Sequence, residues 1–465
     1  MKLPNQIKHL PLRVFTFPAV RALLVCGCLW LLAFSYGRLF LWRDPHSAYF
    51  RSEGVYALDY SAVRQHQART FIDELARGAD GNGTFNGDGN EANETLKFGK
   101  VGDNPAICAS FVTVRRDGEG TRQYLPDALG SMLQGLYQQE RAALNVSVLF
   151  GDTDPSRHPD WQALWLPRLV DTASGYTGLT DLQMAGLRQA EEVRDLQLKG
   201  VFDYLYVLEQ CLEHTAAPFI AVFEDDIVFA GDWMARTMLG LQYLVQHLPK
   251  DSKEWLYLRL FYTETHLGWD AEEDWWYGHL PLTLVLAGGG TAAILVLLRI
   301  SGLVRARLDY ATIAVLSILV APGFASLAFM AGKHNLPVPG YRLHSSPLDS
   351  SSAGVVPMDK RGCCTQALVF NRHALPGLMS NLRKRERGQT DIMIEEYCDA
   401  TGLKRFALGK QAVQHVGLVS SRGMPVVNAQ SVWAFWFETN RADKVESEHK
   451  EVEKGVDWGL YKGLA

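Results

Sequence analysis

Three consecutive acids, Glu224-Asp225-Asp226, close the apolar run Phe219–Phe223 and are followed at once by Ile227, Val228 and Phe229. An acidic run is usually a solvated face, but these neighbours put it at the end of a buried strand. Carboxylates held there repel one another and are costly to keep unless a cation offsets them. A divalent metal bridging a diphosphate is the natural occupant, because oxygen-rich sites suit Mn2+ or Mg2+. Glu224, Asp225 and Asp226 are therefore the expected binders of a metal–diphosphate group.

Two later segments add candidates. Gln389-Thr-Asp-Ile-Met-Ile-Glu-Glu396 sets Asp391 at the start of a helix, with Thr390 or Gln389 as cap. Free backbone N–H groups stabilise a carboxylate at such a position, so local sequence alone reads Asp391 as a helix-start acid. Gln414-His-Val-Gly-Leu-Val-Ser-Ser421 holds His415, which in most proteins would be an exposed or satisfied histidine.

The elements that must carry these residues alternate between strand and helix. Ala106–Val114, Val146–Phe150, Phe219–Phe223, Trp255–Tyr262 and Ala367–Phe370 read as strands. Leu125–Ala143, Val201–Leu212, Asp232–Leu248 and Arg372–Arg385 read as helices. That order predicts an α/β fold with a mostly parallel sheet covered on both faces, and ligands gathered beyond the strands' carboxyl ends.

Apolar material makes up 47% of the 465 residues and is unevenly spread. About Ala22–Trp42, Leu280–Leu298 and Ala311–Ala331 are each long enough to span hydrocarbon. The expected order is a cytosolic segment 1–21, an uncleaved anchor 22–42, a stem 43–104 and a first catalytic part 105–279. A transmembrane hairpin 280–331 with loop 299–310, a loop 332–362 and a second catalytic part 363–465 follow. Lys2, Lys8, Arg13 and Arg21 before the anchor, and Arg299, Arg305 and Arg307 in the hairpin loop, put those segments in the cytosol. Both flanks of the hairpin then face the lumen, and hairpin and following loop interrupt a single α/β domain. No span has an ionisable group at mid-depth, which argues against a channel or transporter.

A net charge of −5 without a basic block gives no case for nucleic acid as a partner. No CxxC is matched by another, so a structural zinc site is not expected. Outside the first span, Cys108, Cys211, Cys363, Cys364 and Cys398 allow one or two disulfides in an oxidising lumen, with one thiol left over. Asn82, Asn93 and Asn145 begin glycosylation sequons, the first two within a Gly/Asn-rich stretch, Gly78–Gly99.

The acidic run resembles the metal motif of GT-A-type glycosyltransferases. That resemblance implies that Asp226 contacts the metal, that Asp225 faces sugar or ribose, and that Asp391 is the general base of an inverting transfer. It also implies that a late histidine, here His415, completes the metal site. The acids, Cys363-Cys-Thr-Gln-Ala367, the Asp391 helix and QHVGLVSS occur in this order around an inserted hairpin. Together they resemble the post-GPI-attachment factor 4 family of GPI N-acetylgalactosaminyltransferases, in a fungal-type form. The acids and QHVG are also similar to the N-glycan-branching N-acetylglucosaminyltransferases IV, which lack the hairpin. The family implies Golgi transfer of N-acetylgalactosamine from UDP-GalNAc to the first mannose of the GPI glycan on GPI-anchored proteins, beside membrane lipid. The alternatives are the same chemistry with UDP-Gal or UDP-GlcNAc, or a non-catalytic lumenal GPI- or glycan-binding protein.

Overall fold

The computed structural model describes residues 17–77, 104–116, 122–248, 254–266, 275–302, 308–332, 335–336, 354–358, 364–417 and 432–463. Lys2, Lys8, Arg13, the Asn82 and Asn93 sequons, the Gly78–Gly99 stretch, Arg305, Arg307, Cys363, most of Lys333–Gly362 and Leu418–Ser421 lie outside the described residues. Two compact units form: Met1–Val55 with Leu267–Arg342, and Tyr56–His266 with Leu343–Ala465.

Among the described residues the first unit holds three helices long and apolar enough to cross a bilayer, Pro18–Phe40, Leu280–Ile300 and Tyr310–Ala331, the first near the N-terminus. They make the chain a membrane protein. Pro18 starts its helix because its fixed φ suits a first turn and its missing N–H is not needed there. Leu282, Val285, Leu286, Ile294 and Leu297 are exposed, the reverse of what a soluble core helix would present. Small residues let the helices approach. A Cβ on Gly288 would stand 2.6 Å from the Ser317 carbonyl oxygen, and Trp30 Nε1 donates to the Gly323 carbonyl at 2.9 Å. A π-helical turn, Leu316–Val320, precedes Pro322, whose missing N–H interrupts the regular ladder.

In the second unit the strands are β1 (Ile107–Thr113), β2 (Leu144–Phe150), β3 (Thr172–Ser174), β4 (Phe219–Glu224), β5 (Ile227–Phe229), β6 (Trp255–Arg259), β7 (Val355–Pro357), β8 (Ala367–Asn371), β9 (Lys404–Leu408) and β10 (Val413–His415). Eight of them form one sheet in the order β3-β2-β1-β4-β8-β6-β9-β7, and β5 pairs separately with β10. The expected α/β class is observed, but the sheet is mixed. From β3 to β4 the pairs are parallel, as are β6 and β9. β8 runs antiparallel to both β4 and β6, and β7 antiparallel to β9. A short apolar run reads as a buried strand in either direction. β8 is reached through the long connection carrying the membrane helices, which imposes no parallel crossover.

The helices used below are α1 (Tyr60–Arg77), α2 (Leu125–Leu133), α3 (Leu196–His214), α4 (Trp233–His247), α5 (Leu375–Arg385) and α6 (Thr390–Thr401). The helix expected over Leu125–Ala143 stops at Leu133, and a separate turn covers Gln138–Ala142. Gly135 between them has φ +85°, a left-handed conformation that a continuous helix cannot hold.

β4 lacks the polar alternation of a half-exposed strand because helices cover both its faces. Phe219, Ala221 and Phe223 enter one core cluster with Trp233, Met234 and Met238 of α4. Ile220 and Val222 enter the other with Leu208 of α3 and Leu378 of α5, as the two-residue period requires. Cys108 of β1 and Cys211 of α3 form a disulfide, Cys364 is also disulfide-bonded, and buried Cys398 is free. Asn145 sits half-buried in β2, between β1 and β3.

Candidate active site

β4 ends at Glu224 and β5 begins at Ile227, so the two intervening residues, Asp225 and Asp226, form the turn between them. Phe223 and Phe229 pack edge to face, 5.1 Å between ring centroids, and fix the two sides of that turn. Both acids are buried. β1 lies parallel to β4 with Val112 opposite Glu224, so the chain leaving β1 passes directly over the acids.

That chain delivers Arg116. Its guanidinium donates to Asp225 Oδ2 at 2.8 Å, Asp225 Oδ1 at 2.7 Å and Asp226 Oδ2 at 3.0 Å. Thr113 Oγ1 also donates to Asp225 Oδ2, at 2.6 Å, so both Asp225 oxygens are engaged by protein groups. The acids therefore carry their own counter-cation, and charge repulsion alone does not demand a metal. Burial opposes the charge on Arg116, but Asp225 and Asp226 outweigh it and push its pKa up.

Behind Thr113 sits His158, with Nε2 at 3.1 Å from the Thr113 hydroxyl. Its Nδ1 accepts the Asp160 N–H at 3.1 Å, which leaves the ring proton on Nε2, facing Thr113. Burial pulls His158 down to about 4, against the pull of Asp225, so the ring is neutral near pH 7. Burial, with Asp225 close by, raises Asp160 to about 6.

His415 reaches Asp226 from the other side. β10 runs antiparallel to β5 with His415 opposite Ile227, and the Val416 N–H donates to the Asp226 carbonyl at 2.9 Å. His415 Nε2 stands 3.4 Å from Asp226 Oδ2, while Nδ1 donates to the Val432 carbonyl at 3.0 Å. Burial works against both charges, yet each partner outweighs it for the other. Asp226 is held well below the usual carboxylate range, with Arg116 assisting, and His415 is pushed up. Gly417 completes the wall, since a Cβ there would stand 2.7 Å from Asp226 Cγ.

A C-terminal strap backs His415. Glu264 accepts N–H groups of Phe435 at 2.8 Å and Trp436 at 3.2 Å, and Gln411 Nε2 at 2.7 Å. Burial still pushes Glu264 up to about 7. Gln414 closes the ring by donating to the Ala434 carbonyl and accepting the Ala434 N–H, at 3.0 and 2.9 Å.

Asp391 enters from α6, in its first turn. Gln389 occupies the N-cap without a side-chain bond, so the expected polar cap is absent, and the helix ends at left-handed Gly402. Asp391 is half-buried and accepts the Ile392 N–H at 2.8 Å and the Cys364 N–H at 3.3 Å. The next residue, Thr365, donates from Oγ1 to Glu224 Oε1 at 2.8 Å, and the Gln366 carbonyl accepts the Glu224 N–H at 3.1 Å. Cys364-Thr365-Gln366 thus ties Asp391 to the acidic turn. Glu224 in turn acts electrostatically on His415, and Glu224 and Asp391 both act on the buried Tyr204 hydroxyl. All five candidates, Glu224, Asp225, Asp226, Asp391 and His415, belong to one linked constellation.

For a metal, the chemistry of the donor set decides the fit. Asp226 Oδ1 is buried and has no hydrogen-bond partner among the described residues, and His415 Nε2 faces the same carboxylate. No group of three or more His, Cys, Asp or Glu among the described residues is arranged to hold a metal. A carboxylate and an imidazole are enough where phosphate oxygens and water supply the remaining ligands, so the pair fits.

Arg116, Thr113 and His158 were not singled out by sequence reasoning. Arg116 and Thr113 lie at the end of a strand whose neighbour is known only from the sheet order. His158 lies in a polar stretch with no periodic signal.

The family model that matches this chain is that of a glycosyltransferase, and it covers residues 107–413, from the first residue of β1 to the first of β10. The chain belongs to the GPI-N-acetylgalactosamine transferase PGAP4 family. Glu224, Asp225, Asp226 and Asp391 fall within the match, and His415 lies two residues beyond it. No curated protein matches the chain significantly.

Proposed function

We propose that this chain is a Golgi, inverting, GT-A-type transferase that moves N-acetylgalactosamine from UDP-GalNAc to the first mannose of a GPI-anchor glycan. The observation that carries this reading is the linkage of Asp391, through Cys364-Thr365, to the acidic turn bearing Asp226 and His415. It joins a proton acceptor to a charged turn whose chemistry suits a metal-bound diphosphate.

Asp226 and His415 are the residues that would hold Mn2+ or Mg2+, and the metal when bound supplies positive charge to the departing diphosphate. Arg116 adds a fixed charge at the same turn, oriented by Asp225, which Thr113 in turn holds. Asp391 takes the proton of the acceptor hydroxyl as that oxygen bonds to the anomeric carbon. The bond from that carbon to the phosphate oxygen breaks, and its electron pair leaves with UDP. The Cys108–Cys211 disulfide suits an oxidising lumen, and the basic residues flanking the membrane helices favour a cytosolic N-terminus and hairpin loop.

The test is the full-length protein in detergent, with and without Mn2+, given UDP-GalNAc, UDP-GlcNAc or UDP-Gal and a GPI glycan acceptor. Transfer only from UDP-GalNAc, lost on chelation, is expected. Transfer from another donor, or undiminished transfer after chelation, would refute that part of the reading.

A further inference from the structure

Glu395 lies one helical turn beyond Asp391 on α6 and points into the protein, where a carboxylate needs partners. It has three. Tyr257 of β6 donates to Oε1 at 2.5 Å, Arg259 of β6 donates to the same oxygen at 3.1 Å, and Arg405 of β9 donates to Oε2 at 2.5 Å. These contacts pin α6 to two adjacent strands of the central sheet.

Arg259 does more than pair with Glu395. Its Nη1 donates to the Cys364 carbonyl at 2.8 Å, and the Cys364 N–H donates to Asp391 Oδ2. A closed circuit results: Asp391, the Cys364 backbone, Arg259, Glu395, and back along α6 to Asp391. Cys364 has φ +80°, a left-handed conformation that a residue with a Cβ holds only when its surroundings enforce it. Arg259 on the carbonyl and Asp391 on the N–H are two such constraints.

We propose that Arg259 and Glu395 are positioning residues for the general base, holding the Asp391 carboxylate at its working angle through the Cys364 backbone. The inference rests on the reading of Asp391 as that base. Neither residue touches the reacting atoms. Arg405 serves as the internal control, because it also binds Glu395 but none of its hydrogen bonds reaches Cys364.

The experiment compares Arg259→Lys, Glu395→Gln, Arg405→Lys and Asp391→Asn in the full-length protein, measuring kcat, donor KM and thermal midpoint for each. Arg259→Lys and Glu395→Gln are expected to lower kcat for transfer about 10- to 100-fold while leaving donor KM within about twofold. Arg405→Lys is expected to keep kcat within about twofold whatever its effect on the midpoint. The double variant Arg259→Lys with Asp391→Asn should be no slower than Asp391→Asn alone, because both act on one group. Equal kcat in Arg259→Lys, Glu395→Gln and Arg405→Lys, with Asp391→Asn inactive, would overturn the positioning role and leave the base intact. Full transfer by Asp391→Asn would instead remove the base, and the positioning role with it. Should Arg259→Lys fail to fold, the near-isosteric Glu395→Gln decides alone.

Discussion

The two carboxylates proposed to act in transfer, Asp226 and Asp391, live in opposite surroundings. Asp226 is buried, faces His415 and Arg116, and keeps one oxygen without a partner among the described residues. Asp391 is half-buried and, among the described residues, receives only backbone N–H groups. The contrast fits two tasks. A group that offsets a diphosphate gains from a preorganised, dry field, whereas a base that must meet a mobile hydroxyl needs access and freedom from strong cations.

The sharpest way to break that comparison is to neutralise each acid in turn. Asp226→Asn is expected to lower transfer about a thousandfold and to abolish UDP-sugar binding. Asp391→Asn should lower transfer about a hundredfold or more while binding stays, as read by calorimetric titration with UDP-GalNAc. Equal binding losses in both would erase the division of labour. Next in size, Arg116→Met leaves Asp225 with an uncompensated buried charge and should cost about 3–5 kcal/mol, measured by urea unfolding in detergent. A stable Arg116→Met protein would mean that His415 alone balances the turn.

Gly417→Ala is a gentler probe of the charged side. The added methyl must displace the Asp226 carboxylate, so kcat should fall about 10- to 100-fold with a folded protein. Smallest is a pH effect behind His415. Glu264 is raised from 4.5 to about 7 by burial, so the folded state holds its proton more tightly than the unfolded one. The contribution of Glu264 to stability is then fully present below about pH 4.5 and is lost as pH rises towards 7, by on the order of 3 kcal/mol. Glu264→Gln should flatten that slope in thermal melts, and an unchanged slope would clear Glu264 of the effect.

Much of the charged side was legible because its signal is local. An apolar run that ends in acids reads as a strand closing on a turn, although the second strand, Ile227–Phe229, and its pairing with β10 were not read. Arg116 was not legible, since nothing around Val114-Arg115-Arg116 states that β1 will lie beside β4. The same holds for strand direction. β8 is as apolar as β4, and only its hydrogen-bond register reveals that it runs the other way. The Asp391 side was read as a helix start, which it is, but its tie to Glu224 depends on Cys364-Thr365, polar contacts that leave no periodic trace. The break at Gly135 went unread because the apolar spacing continued past it.

β8 sits between β4 and β6, yet the ribosome makes it only after both, once the two later apolar helices have been synthesised. Until then β4 and β6 have no shared neighbour, and their facing edges wait unpaired. If one of those helices failed to integrate, β8 would emerge on the wrong side of the bilayer and the gap could never close. Completion of the sheet therefore depends on both helices being threaded alike, since β4 and β8 must end on one face of the bilayer to pair.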